Sequence, residues 1–313
     1  MAKRLSVINF KGGVGKTAFA VHLGCFLTRK RPGGARVLII DVDHQSTLSI
    51  IVMNPGPWES ACAAGRTVNR IFSSYTTQGA QLPGTEVITQ EPFGSTYPTF
   101  DIVPAQLELD DTEIELASTT IGSAIISEWR KRTLLCKWLD QSGIDDEYDF
   151  IVFDCPPATK IVSQNAIAAS HAYVVPVIPD AISTRGVTHF RHLVSTRIDA
   201  KMKAYAASVQ QSEIPNTYVP DTMLGGIVVS MAQSHGPADS GYINEHWNQM
   251  NALRRLWGAD VLEHVIERAV GVAESLGSGW PVFDSTDNAN VTNRGLPQMF
   301  EGVCEELINK LGW

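Results

Sequence analysis

Residues 11–17 read Lys-Gly-Gly-Val-Gly-Lys-Thr and follow directly on the apolar run of residues 5–10. A short strand, a glycine-rich turn and a helix expected over residues 17–27 form the setting that a phosphate-binding loop requires. Glycines let the backbone approach phosphate closely and aim several N–H groups at it. The start of the helix adds a partial positive charge at the same place. In such a loop Lys16 reaches the terminal phosphates and the Thr17 hydroxyl ligates Mg²⁺. The general pattern G-x-x-x-x-G-K-[ST] fits only loosely, because its first glycine falls on Phe10 and position 11 holds a second lysine.

Later segments supply the partners of such a loop. Residues 37–45 read Val-Leu-Ile-Ile-Asp-Val-Asp-His-Gln, an apolar strand with two carboxylates at its C-terminal end. In an open α/β sheet that end is where ligands bind. Asp41 and Asp43 are two apart, so both point to one face of an extended segment. Residues 150–154, Phe-Ile-Val-Phe-Asp, form a second such strand, and Asp154 is the natural partner for Mg²⁺ or its waters. Residues 172–179 read as a further parallel strand broken by prolines at its end, a shape suited to lining a base pocket.

With these residues in place, the chain resembles the ParA/MinD family of deviant Walker ATPases. The loop has the K-G-G-x-G-K-[ST] form of that family, and D-x-D-x-Q at residues 41–45 is similar to its next motif. Residues 99–104, 154–157 and 265–283 match its later segments. The resemblance covers nearly the whole chain and comes closest to partition ATPases without an N-terminal helix-turn-helix domain. It implies ATP and Mg²⁺ as cofactors and slow hydrolysis unless stimulated. Lys11 would be the signature lysine that crosses a homodimer interface to the partner's nucleotide, and Lys16 the ordinary loop lysine. Asp43 would position the attacking water, while Asp41, with Thr17 and Asp154, would belong to the metal site. Gly12, Gly13, Val14, Gly15 and Ala18 would complete the loop. Pro179, Asp180, Ser230 and Met231 fall where the family builds its adenine pocket. Ala18 and His44 depart from the residues common in relatives, without removing a phosphate or metal ligand.

Composition sets the outer limits. The chain has 313 residues, 44% hydrophobic and 19% charged. Strands and helices alternate without a Gly-, Ser- or Pro-rich linker. We therefore expect one domain over residues 1–313, an α/β fold with a doubly wound, mostly parallel sheet and helices on both faces. No apolar stretch is long enough to span a bilayer, and residues 1–10 lack a signal-peptide pattern. The five cysteines have no metal-ligand spacing and fit reduced thiols in the cytoplasm. Residues 54–98, rich in Pro and Gly, are expected to be an irregular insertion with one helix over residues 67–75.

A net charge of −8 gives no overall field that favours nucleic acid. Two local basic groups do. Arg185, Arg191, Arg197, Lys201 and Lys203 form one; Arg254, Arg255 and Arg268, where relatives carry DNA-binding residues, form the other. Contact through such side chains is independent of base sequence. The start of the chain leaves no room for a helix-turn-helix module, so site-specific repression is not expected. Residues 296–313 form an amphipathic helix whose polar face carries Glu301, Glu305 and Glu306 against Lys310 alone. Anionic lipid would repel that face, so a helix packed on the domain is expected rather than a membrane anchor. The expected activity is an ATP-dependent dimerising switch that segregates or positions DNA. It would hold non-specific DNA in the ATP state and be released by a cargo-bound, ParB-like partner. The same ATPase positioning a protein cargo, or a MinD-like membrane-associated regulator, is the alternative.

Overall fold

Apolar runs too short for a helix and unbroken by polar residues favour strands buried on both faces, the condition of a parallel sheet. The computed structural model describes residues 1–30, 34–235 and 241–313, the side chains of Lys30, Thr184 and Arg185 excepted. Among these residues seven strands form: β1 (Lys3–Val7), β2 (Val37–Asp41), β3 (Asp101–Val103), β4 (Phe150–Asp154), β5 (Ala172–Val177), β6 (Met223–Ala232) and β7 (Val261–Glu267). Their order is β3-β2-β4-β1-β5-β6-β7, and every pairing is parallel.

The chain runs outward from β1 to β2 and β3, returns to β4 beside β1, then crosses to β5 on the other flank. The order therefore reverses at β1, and the loop that leaves β1 opens into the crevice where such sheets bind ligands. Register completes the placement. Val7 lies opposite Asp154, and Asp154 lies opposite Asp41, so the carboxylates at the ends of β4 and β2 flank the start of the loop. Pro176 sits inside β5 rather than ending it. Pairing with β1 stops at Val174, so on the β1 side Pro176 has no strand neighbour and its missing N–H is tolerated there, while β6 pairs on the other side.

Alternate strand residues feed two core layers. Leu38, Ile40, Ile151 and Phe153 pack with the helices Leu134–Ser142, Ile161–Ala168 and Ala181–Leu193. Val37, Ile39, Phe150 and Val152 pack with the helices Lys16–Lys30 and Leu296–Leu311. The helix Lys16–Lys30 lies close on the sheet at Gly24, where an added Cβ would sit 2.7 Å from Phe100 Cδ1 and 2.8 Å from Ile39 Cδ1. The final helix buries Phe300, Val303 and Leu307, and Trp313 beyond it lies 6.5 Å from the Phe150 ring. Among the described residues no helix is long and apolar enough to cross a membrane. All five cysteines are free thiols.

Residues 54–98 are less irregular than expected. The helix Val68–Thr76 forms where one was anticipated, but Pro55–Ala63 is also helical. Its proline sits in the first turn, where the missing N–H has no helical partner to lose, so Pro here starts a helix instead of excluding one. Trp58 then anchors it by donating from Nε1 to the Ala105 carbonyl at 2.8 Å.

His22 fastens the loop helix to the C-terminal part. It is fully buried, stacks on Phe300 at 4.0 Å, accepts from the Val282 amide at Nε2 and meets the Ala18 carbonyl at Nδ1. Burial holds the imidazole neutral and lowers its pKa from 6.5 to about 4, against the pull of the Ala18 carbonyl. Below pH 6.5 the unfolded chain takes up a proton that the folded chain refuses until about pH 4. Across that window the wild type should lose up to about 3 kcal/mol relative to its own value at neutral pH. His22→Gln should lack this component, as urea unfolding at a series of pH values would show; parallel curves would remove His22 as the cause.

Candidate functional site

The loop begins as β1 leaves the sheet, with the Ile8 amide still donating to the Val174 carbonyl at 3.0 Å. Gly13 and Gly15 adopt φ 71° and 79°, left-handed values that favour glycine. A Cβ added at Gly12 or Gly13 would meet nothing within 4 Å, so this side of the loop is an open cradle. Its floor is fixed. Val14 is fully buried, and Ser230 donates from Oγ to the Val14 carbonyl at 2.7 Å.

Lys16 and Thr17 start the helix. Lys16 is buried, with Nζ 3.4 Å from the Lys11 carbonyl. Burial lowers its pKa, while the carboxylates of Asp154 and Asp43 pull it back up. Thr17 donates from Oγ1 to Asp154 Oδ2 at 2.8 Å. The other oxygen, Asp154 Oδ1, is buried without a hydrogen-bond partner among the described residues. Burial raises the Asp154 pKa well above the ordinary carboxylate range, and the facing Asp41 raises it further. Asp41 is itself pushed up to about 7 by burial, although the hydroxyl and amide of Ser49 and the amide of Asp43 hold its charge.

This donor set suits a hard divalent cation. Two buried carboxylates of like charge face each other, and one bears an orphaned oxygen beside a hydroxyl. Both oxygens of Asp41 are already engaged, Oδ1 by the Asp43 amide at 3.0 Å and Oδ2 by Ser49 Oγ at 2.6 Å. Asp41 thus holds the following loop in shape, and the unsatisfied oxygen belongs to Asp154. Asp43 stands half-buried at the cradle's rim, its Oδ1 accepting from the Gln45 amide at 3.0 Å. His44 Nδ1 lies 3.8 Å from the same oxygen.

Lys11 turns the other way. Its Nζ forms an ion pair with Asp180 Oδ2 and lies 3.4 Å from Ser183 Oγ. Asp180 Oδ1 accepts from the Ser183 amide at 2.7 Å and so caps the helix Ala181–Leu193. Burial pushes the Asp180 pKa up, but the Lys11 and Ser183 bonds outweigh it and leave the carboxyl below its usual value. Of the residues anticipated for an adenine pocket, Asp180 and Ser230 therefore brace the loop in this structure. Pro179 is buried, and Met231 is half-buried at φ 55°, beside a register shift between β6 and β7. Ala18 lies half-buried under the loop, its carbonyl facing His22.

The basic groups converge in part. The Arg191 guanidinium lies 5.4 Å from the Trp257 ring, which brings it to the helix Asn244–Trp257 that carries Arg254 and Arg255. Arg254 donates to the Glu263 carbonyl at 3.1 Å, whereas Arg197, Arg255 and Arg268 are exposed. The Arg185 side chain lies outside the described residues.

Two supporting residues escaped the sequence reading. Asn9 bridges the loop to β5, donating from Nδ2 to the Pro176 carbonyl at 2.6 Å and accepting from the Lys11 amide at 3.1 Å. Ser49 serves Asp41 and accepts from the Ala105 amide at 2.8 Å. Neither residue belongs to a motif, and their partners Pro176 and Ala105 are distant in sequence.

A family model described as an AAA domain matches residues 2–205, a span that holds the loop and the three carboxylates. The chain belongs to the ParA/MinD family of deviant Walker ATPases. It is 26% identical over 278 residues to the chromosome partitioning protein ParA of Caulobacter vibrioides, covering 89% of this chain and 85% of that one. It is 25% identical over 282 residues to the sporulation initiation inhibitor protein Soj of Bacillus subtilis, covering 90% of each. Among solved structures, an ATP complex of Cyanothece McdA superposes with a TM-score of 0.67 at 16% identity, covering 99% of this chain and 96% of that one. The seven-stranded parallel sheet is thus the fold of this ParA/MinD-type P-loop ATPase.

The cluster of acids carries a testable stability signature. Asp154→Asn removes a buried charge yet keeps an oxygen for Thr17, so the variant should melt higher than the wild type without nucleotide or metal. It should also lose most of the additional rise that Mg²⁺ with nucleotide gives the wild type. A calorimetric scan with an unchanged Mg²⁺ response would take Asp154 out of the cation site.

Proposed function

We propose that this chain is an ATP-dependent dimerising switch that segregates or positions DNA, bound to DNA in its ATP state and released when a partner stimulates hydrolysis. The observation that carries the ATPase reading is the convergence of the open glycine cradle, the buried Lys16 and the Thr17–Asp154 pair with its orphaned oxygen. The partition reading is supported by the names of its ParA and Soj relatives.

In this reading the amides of residues 12–17 receive the phosphates and Lys16 places its charge on the terminal ones. Mg²⁺, when bound, would neutralise phosphate charge, with Thr17 and Asp154 as its protein ligands. Asp43 orients the attacking water. Lys11 leaves Asp180 and faces the nucleotide of a second copy, so the dimer depends on the terminal phosphate and loosens after hydrolysis. Arg191, Arg197, Arg254, Arg255 and Arg268 would meet DNA phosphates, and a cargo-bound, ParB-like adaptor would trigger release. Action in the cytoplasm, on the nucleoid while DNA is held, follows from that cycle. The overall charge of −8 favours a second reading, in which the same switch positions a protein cargo.

Asp43→Ala separates binding from turnover. It should retain ATP while hydrolysis falls on the order of 10²-fold or more, and an ATP-bound dimer should persist through sizing chromatography. Normal turnover would remove Asp43 from its role. Arg254 and Arg255 changed together to Glu should weaken retention of random-sequence duplex DNA about tenfold or more at low salt while leaving dimerisation intact. Equal DNA affinity in a gel-shift assay would move the contact elsewhere or favour the protein cargo.

A further inference from the structure

His44 departs from the residue common in relatives, and its side chain lies beside Asp43. The turn that carries it is braced. The Ser46 amide donates to the Asp43 carbonyl at 2.8 Å, the Gln45 amide to Asp43 Oδ1 at 3.0 Å, and Ser46 Oγ to the His44 carbonyl at 3.3 Å. Ser46 is fully buried at φ 52°. The imidazole therefore hangs from a fixed corner, with its own torsions as its main freedom. Its side chain is 33% exposed, that of Asp43 14%, and Nδ1 lies 3.8 Å from Asp43 Oδ1. A shift of about 1 Å would make that contact a hydrogen bond. Catalytic bonds of this kind tighten as the substrate complex forms.

A second carboxylate stands near the ring. Burial raises the Glu113 pKa, and the Val162 amide, Lys160 and the His44 imidazole bring it part of the way back. Glu113 is anchored from elsewhere: Oε1 accepts from the Val162 amide at 2.8 Å, and Oε2 lies 3.8 Å from Lys160 Nζ. Basic and acidic groups thus alternate from Lys16 through Asp43, His44 and Glu113 to Lys160.

We propose that His44 is a positioning residue for Asp43: its Nδ1–H donates to Asp43 Oδ1 and leaves Oδ2 for the attacking water, while the charge of Glu113 holds the imidazole in place. This rests on the reading of Asp43 as the residue that orients the water. That water is oriented only for the cleavage step, so the effect falls on kcat and spares nucleotide affinity.

The test uses the full chain, with basal turnover of Mg²⁺–ATP in steady-state kinetics and Mg²⁺–AMPPNP binding in calorimetry. His44→Ala should lower kcat about three- to tenfold, the scale of coupling between neighbouring residues, with KM, AMPPNP affinity and melting temperature unchanged. His44→Asn should recover most of that loss, because its amide nitrogen stands where Nδ1 does and donates. Glu113→Gln keeps an acceptor for the Val162 amide. It should lower kcat in the wild type and change nothing further in a His44→Ala background. Wild-type kcat in His44→Ala overturns the proposal and leaves His44 a turn residue. So does a loss that His44→Asn does not recover, a loss shared by AMPPNP affinity, or an equal effect of Glu113→Gln with and without His44. Normal turnover by Asp43→Ala overturns the reading of Asp43 and this proposal together. An inactive Asp43→Ala beside a fully active His44→Ala overturns the proposal alone.

Discussion

The bond from Thr17 to Asp154 is the point on which the site turns. It joins the first turn of the loop helix to the last residue of β4, and it is possible only because β1 and β4 pair in a register that sets Val7 opposite Asp154. The next pairing sets Asp41 opposite Asp154, which brings a second buried carboxylate to the same place. Left alone, two such acids oppose folding, since burial and mutual repulsion both disfavour their charged forms. The fold tolerates them unequally. Asp41 is satisfied by Ser49 and the Asp43 amide, whereas Asp154 keeps one oxygen unserved among the described residues. That asymmetry separates a carboxylate whose two oxygens already shape a loop from one with an oxygen that a cation could take up.

Much of this was legible from pattern. Short apolar runs ending in Asp41 and Asp154 marked strands whose C-terminal ends form the crevice, and the loop motif fixed where β1 had to end. Alternation of apolar residues with turns implied helices on both faces, as the two core layers show. The single helix anticipated in residues 54–98 was found, but Pro55–Ala63 was missed because proline was taken as a breaker and its place in a first turn depends on where the helix starts.

What stayed hidden was pairing across the sheet. Nothing at Ser49 announces that it will serve Asp41, and nothing at Asn9 announces Pro176, because each bond is set by tertiary placement and not by spacing. Asp180 and Ser230 show the same limit from the other side. A family motif marked their positions, yet motif position does not say which way a side chain turns, and here they face Lys11 and the Val14 carbonyl.

The loop is therefore held by contacts of two kinds, which differ in how they respond to charge. Phe10 against Phe190 and Ser230 beneath Val14 are apolar or neutral and indifferent to the arrival of an anion. Lys11 with Asp180 and Lys16 among the carboxylates are ionic, the contacts that the charge of a bound anion would perturb. The helix that Asp180 caps runs on without a break in helical backbone through Val194–Asp199, the stretch bearing Arg197, and it carries Arg191 against Trp257 on the way. The Lys11–Asp180 pair thus sits at one end of a helical stretch whose further part carries Arg191 and Arg197, while the neutral contacts hold the loop against that stretch.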